Sequence, residues 1–103
     1  MNNLLPRIMT LDEFTPLVGY TFIAECDPAP IGITLVEASA LRKNLKLERP
    51  PFILIFRSPL TAQLIAGAYV LRCGEWGPGL IDLNSLIAPQ GGEPGYYYQA
   101  IFS

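Results

Sequence analysis

The chain has no histidine. That removes the Ser-His-Asp and Cys-His nucleophile arrangements and the commonest transition-metal ligand. Cysteine is nearly absent as well, with Cys26 and Cys73 alone and far apart, whereas structural zinc wants four paired nitrogen or sulfur ligands. Charged residues make up 16% of the chain, against a usual share of about 25%. Net charge is −2, and the seven Lys and Arg are scattered apart from Arg42, Lys43, Lys46 and Arg49. Phosphate backbones are bound by clustered positive charge, so no nucleic-acid partner is expected, and that small group reads as a solvated loop. No apolar run approaches the ~18 residues of a membrane helix. The opening Met1-Asn2-Asn3-Leu4-Leu5-Pro6-Arg7 has no basic start followed by a long apolar stretch, so no signal peptide is visible and the default compartment is the cytoplasm.

What the chain has in abundance is turns and strand-formers. Half of its 103 residues are hydrophobic, with 10 prolines and 9 glycines. That length supports one hydrophobic core, a single domain over residues 1–103, and the turn density favours an all-β fold. The organising stretch is Pro50-Pro51-Phe52-Ile53-Leu54-Ile55-Phe56-Arg57-Ser58-Pro59, an unbroken apolar run rich in β-branched and aromatic residues between prolines. It reads as the central strand, covered on both faces.

Taken in order, Thr10-Leu11-Asp12-Glu13 fits a helix-start box, in which hydroxyl and carboxylate satisfy each other's backbone N–H. Pro16 and Gly19 stop the helix early, and Leu11, Phe14 and Leu17 share the side that would lid one end of a sheet. Alternation predicts strands at Tyr20–Cys26, with Tyr20, Phe22, Ala24 and Cys26 on one face, and at Ile31–Ala40, joined to the first as a hairpin. Residues 41–49 read as a loop, and residues 60–66 as an apolar loop. Ala68–Cys73 is the next strand, and Gly74-Glu75-Trp76-Gly77-Pro78-Gly79 reads as a hairpin loop. Leu80–Leu86 follows, then a broad turn at 87–95, then Tyr96–Phe102. About six short strands joined by turns make a small antiparallel barrel or sandwich with a short N-terminal helix. The alternating aromatics at the end superficially match the last strand of an outer-membrane barrel, but the strands are too few to close one.

Leu11-x-x-Phe14-x-Pro16-Leu17-Val18-Gly19-x-x-Phe22, Leu35-x-Glu37, Pro51 through Pro59, Gly67-x-Tyr69-x-Leu71 and Tyr98-x-Ala100-x-Phe102 occur in this order. The succession resembles a family of small bacterial domains, the domain of unknown function 6916, over nearly the whole chain. One departure is Leu83-Asn84-Ser85-Leu86-Ile87-Ala88-Pro89, where the family pattern suggests a leucine-phenylalanine-leucine-valine-proline ending. The resemblance implies the fold and no activity. It also points to a structural partner in a phage-tail-like assembly.

The remaining chemistry is thin. Gly74-x-x-Gly77-x-Gly79 lacks the following helix and the Lys-Ser/Thr of a phosphate cradle, and Ser85 lacks the glycines of a nucleophile elbow. No enzyme, cofactor or metal is therefore expected. Glu37 shares a side with Ile33 and Leu35, and Arg57 with Ile53 and Ile55. The two form an ion pair near a barrel end if their strands are neighbours, or face water where the strands leave the core. Cys26 and Cys73 read as reduced thiols, or as a disulfide if their strands lie side by side. In the last strand Tyr96, Tyr98, Ala100 and Phe102 share one face, leaving Tyr97, Gln99 and Ile101 on the other. Trp76 is either folded back over the sheet or an exposed anchor. Trp76, Tyr97, Gln99 and Ile101 thus form the candidate interaction surface. The function expected is a non-catalytic structural or protein-interaction module, self-associating or docked to a larger assembly. A small barrel binding an apolar ligand under the Leu11–Leu17 lid is the alternative.

Overall fold

Six strands, each antiparallel to both neighbours, close on themselves in the order β1-β2-β3-β6-β5-β4. They are β1 (Thr21–Ala24), β2 (Ile31–Ala40), β3 (Phe52–Ser58), β4 (Gly67–Cys73), β5 (Trp76–Leu86) and β6 (Tyr96–Phe102), preceded by a single helical turn, α1 (Leu11–Phe14), and a 3-10 turn at Thr15–Leu17. The computed structural model describes residues 8–41 and 50–102. The expected fold is therefore found, and of barrel and sandwich it is the barrel. Closure leaves β3 between β2 and β6, with Phe52 opposite both Ala40 and Phe102.

Alternation along β3 is regular. Phe52, Leu54, Phe56 and Ser58 are buried, while Ile53, Ile55 and Arg57 are half-buried on the outer face. The expectation that this strand is covered on both faces is met on the inner one alone. A barrel wall has a single core side, so the outer isoleucines gain only lateral shielding from neighbouring strands. Inward side chains fill the barrel: Phe22, Ile33, Leu35, Leu54, Phe56, Leu71, Ile81, Leu83 and Tyr98 each retain 1% exposure or less and belong to one continuous cluster.

The end of the barrel where β3 begins is stoppered by α1. The β5–β6 ladder runs from Leu86↔Tyr97 only to Asn84↔Gln99, and below it the two strands are no longer paired. Phe14 sits there, its ring centroid 5.1 Å from Trp76 on β5 and 6.1 Å from Phe102 on β6. Phe52 and Phe102 stack behind it at 4.5 Å. The helix that delivers Phe14 is started as its sequence requires: Glu13 Oε2 accepts the Thr10 backbone N–H at 2.9 Å. Leu11 and Leu17 pack against the same cluster, so the lid read from their spacing is present.

At the opposite end, residues 59–66 cross from β3 to β4, which are not neighbours in the barrel. Leu64 of this crossover is 3% exposed. Its backbone N–H donates to Tyr98 Oη at 2.9 Å, and the Tyr98 hydroxyl also lies 2.7 Å from Ser58 Oγ. Ser58 is the one buried polar residue among the described residues. A buried amide, a buried serine and a tyrosine hydroxyl thereby satisfy one another.

Candidate functional site

Trp76 is the first residue of β5 and not the tip of a loop. The hairpin before it is a tight turn at Gly74-Glu75, with Cys73 paired to Trp76 and Gly74 at φ 57. The indole folds back. Its ring lies 5.1 Å from Phe14 and 5.5 Å from Phe22, and Nε1–H donates to Glu13 Oε1 at 3.2 Å. Gly79 makes room for this: a Cβ there would come within 2.6 Å of the indole. The folded-back option for Trp76 is the one realised, and as an exposed anchor the residue is corrected.

Tyr97 requires a second correction. It lies on the outer face, as its parity demands, yet is only 4% exposed. The turn at 87–95 lies against it, and the Tyr97 hydroxyl donates to the Glu93 carbonyl at 2.8 Å. What remains of the candidate interaction surface is Gln99, half-buried, and Ile101, 55% exposed. Ile101 is paired with Ile53 and Gln99 with Ile55. With Val36 of β2 at 37% exposure, these side chains make an aliphatic sector on the outside of β2, β3 and β6. Glu37 and Ser39 of β2 stand opposite Ile55 and Ile53, while β4 and β5 direct Arg72, Asp82 and Asn84 outward to exposed positions, with one large aliphatic exposed on each of β1 and β5, Ile23 and Leu80.

The proposed Glu37–Arg57 ion pair is not formed. The β2–β3 register shifts between Leu35 and Glu37. This extra residue turns Glu37 out of step with Ile33 and Leu35, into an exposed position, where its carboxylate accepts the Ser39 hydroxyl at 2.7 Å. Arg57 instead bridges to Glu93 at 2.9 Å, so β3 is tied to the 87–95 turn. A pair of this kind, with Glu93 74% exposed, contributes less than about 1 kcal/mol.

The cysteines are both free. Pairing of Ala24 with Leu71 places Cys26 and Cys73 on opposite sides of that rung, about 13 Å apart at ~3.3 Å per residue, which no disulfide spans. Burial pushes both thiols up from their ordinary value, Asp27 adding to the rise at Cys26. Neither is therefore poised as a thiolate nucleophile. Among the described residues no cluster of three His, Cys, Asp or Glu could hold a metal ion, and no helix is long and apolar enough to cross a membrane. The basic group Arg42, Lys43, Lys46 and Arg49 lies outside the described residues.

A feature that strand patterning did not single out lies at the crossover end. A cleft of about 180 Å³ opens between the crossover and the 87–95 turn, lined by Gln63, Ser85, Leu86, Ala88, Tyr96 and Tyr98 among others. The two loops that frame it carry the most exposed aliphatic side chains of the described residues, Ile87 at 92% and Ile65 at 82%. The apolar character of residues 60–66 and of Leu86-Ile87-Ala88 was visible in the chain. That the two loops meet was not.

Among known families, one model matches residues 9–102, described as "Domain of unknown function (DUF6916)". No curated protein and no solved structure matches the chain.

Proposed function

We propose that this chain, which belongs to the DUF6916 family, is a non-catalytic protein-interaction module that docks through the outer face of β3 and β6. The observation that carries the reading is that Ile53, Ile55 and Ile101 adjoin on the outer faces of the paired strands β3 and β6, with Val36 exposed on β2, whereas Ile23 of β1 and Leu80 of β5 are the single exposed large aliphatics of their strands. Contiguous apolar surface of this kind on a soluble protein marks an interface. The barrel interior is occupied by its own side chains, which favours this reading over a small apolar-ligand carrier. The absence of histidine and the upward-shifted thiols favour it over an enzyme. The partner is a second copy of the chain or a component of a larger assembly of phage-tail type. The compartment that goes with this is the bacterial cytoplasm, where thiols held apart by the fold stay reduced.

Ile101→Lys tests the docking face without touching the core. The wild-type chain should self-associate in light scattering at rising concentration, or co-purify with the product of a neighbouring gene, and the variant should lose that association while keeping its melting temperature. A chain that stays monomeric to millimolar concentration and co-purifies with no neighbouring product overturns the reading.

A further inference from the structure

The segment that stoppers the barrel is attached to it as no strand is. Among the described residues, no main-chain hydrogen bond joins residues 8–18 to any strand. The main-chain bonds of this stretch close on the segment itself: the Glu13 N–H donates to the Thr10 carbonyl, the Thr15 N–H to Leu11 and the Val18 N–H to Thr15. Anchoring to the sheet begins at Gly19, whose N–H donates to the Leu35 carbonyl at 2.7 Å. It continues at Tyr20, whose carbonyl accepts the Leu35 N–H at 3.0 Å. Gly19 holds a φ of 93 with nothing within 4 Å of an added carbon, a backbone conformation that only glycine adopts without steric cost. Side chains seat the segment. Phe14 is 0% exposed, with ring centroids 5.9 Å from Phe52, 5.1 Å from Trp76 and 6.1 Å from Phe102. Glu13 accepts the Trp76 indole N–H at 3.2 Å, and Met9, Leu11 and Leu17 pack partly buried against the core.

We propose that residues 8–18 form a lid that opens as one unit about Gly19 while the six-stranded barrel stays folded, uncovering the aromatic seat of Phe52, Trp76 and Phe102. The ladders decide which parts can leave separately. Each strand of the closed barrel is paired on both sides, so its departure costs the main-chain bonds of two ladders. Every strand pairing lies within residues 21–102, so the departure of residues 8–18 costs none. A part held by side chains, with few main-chain bonds to the rest, opens at lower free energy than the ladders beside it. The opening is a single event. One helical turn does not persist away from its seat, because helix nucleation is unfavourable and four residues cannot offset it. Leu11, Glu13, Phe14 and Leu17 all ride on this turn and the 3-10 turn after it, so they leave together. Opening also bares the stretch where β5 and β6 have stopped pairing, which Phe14 fills when the lid is shut. The outer face of β3 and β6 takes no part, so the lid is independent of the docking face.

Native-state hydrogen exchange of the full chain, in urea below the unfolding transition, tests the lid. Its probes are the Thr15 amide, bonded to the Leu11 carbonyl, and the Trp76 indole N–H, bonded to Glu13. The barrel probes are the amides of Leu54 and Phe56 on β3. The two lid probes should share one opening constant, at least about 10-fold larger than that of the barrel probes. Their urea dependence should be shallower, because opening exposes less surface than unfolding. Tyr98→Phe weakens the barrel whether the lid is open or shut. It should accelerate the barrel probes about 10-fold or more and leave the lid probes unchanged. Gly91→Ala, in the turn at 87–95, is the milder second variant and should give the same pattern at about 5-fold. Gly19→Ala strains the shut hinge and should accelerate the lid probes roughly 5-fold. Lid probes that match Leu54 and Phe56 in opening constant and urea slope, or that quicken with them in Tyr98→Phe and Gly91→Ala, overturn the proposal, since the stopper then leaves only on global unfolding. Unequal opening constants at Thr15 and Trp76, or lid exchange that Gly19→Ala leaves unchanged, overturn it as well.

Discussion

The Trp76 indole N–H donates to Glu13 Oε1 at 3.2 Å, while Glu13 Oε2 accepts the backbone N–H of Thr10 at 2.9 Å. One carboxylate therefore both starts α1 and fastens it to β5, at the place where β5 and β6 have stopped pairing. The carboxylate of Glu13 thus joins the stopper of the barrel to the start of β5, beside the Phe14–Trp76 ring contact at 5.1 Å.

Glu13→Ala removes both bonds, and should lower unfolding stability by about 1–2 kcal/mol. Trp76 is the sole tryptophan, so its emission reports the docking of α1 directly. A red shift is expected in the native state of the variant, and a smaller one in Glu13→Gln, whose amide oxygen can still accept. Unchanged emission in Glu13→Ala would show that the indole is held by other contacts.

Tyr98→Phe keeps the ring but strands the Leu64 N–H and the Ser58 hydroxyl in the core. Each unsatisfied buried group costs about 1–3 kcal/mol, so the variant should lose about 2 kcal/mol or more in urea denaturation. Hydrogen exchange at the Leu64 amide should accelerate with it. Tyr96→Phe, whose hydroxyl has no partner among the described residues, is the comparison and should stay within about 0.5 kcal/mol of wild type.

Glu37→Gln should leave thermal stability unchanged, because its carboxylate contacts only the exposed Ser39 hydroxyl, and Glu93→Ala should cost less than about 1 kcal/mol. Gly95→Ala, two residues beyond Glu93, should cost far more, above about 2 kcal/mol. Its φ is 154, and a Cβ there would stand 2.5 Å from the Ser58 carbonyl oxygen. The contrast between these neighbours would show that the turn is seated by backbone fit, with the ion pair secondary.

Gly79→Ala puts a methyl 2.6 Å from the Trp76 ring and should destabilise by about 1–3 kcal/mol, with a shift in tryptophan emission. Gly91→Ala, at φ +79 with nothing within 4 Å of the added carbon, should cost about 1 kcal/mol through backbone strain alone and leave the emission as it was.

The raised thiols predict a pH dependence. Folding favours the protonated form of Cys26 and Cys73. Their contribution is full below the ordinary thiol value of about 8.5 and is lost as pH rises from there through the higher folded-state values. Denaturant midpoints should fall on the alkaline side, less so in Cys73→Ala relative to its own neutral value. With Ellman's reagent at neutral pH, Cys26 should react slowly and Cys73 only on unfolding.

Where strand patterning succeeded, the cause was local. In β6 alternation separates Tyr96, Tyr98, Ala100 and Phe102 from Tyr97, Gln99 and Ile101, whereas β3 reads as apolar on both faces and only barrel closure makes Phe52, Leu54 and Phe56 its inner set. In α1 the capping pair and the Leu11, Phe14, Leu17 spacing act within two turns of chain. Where it failed, a contact distant in sequence had intervened. Glycines at 77 and 79 read as loop, yet they sit within β5. Gly77 holds a φ of 98 close to the Leu71 carbonyl, and Gly79 lies flush beneath Trp76. The extra residue in β2 reverses Glu37, and the 87–95 turn buries Tyr97 from outside.

Residue order alone determined that this chain forms short, turn-punctuated strands with a capped first turn, and that imidazole chemistry is denied to it. Those properties depend on backbone preference and side-chain inventory, which need no neighbour. Closure of the barrel through β4 and β1, the partner chosen by Arg57, the seat of Trp76 and the meeting of two loops around a cleft were decided only in three dimensions. Each depends on which surfaces the folded chain brings within van der Waals reach, and no local pattern carries that information.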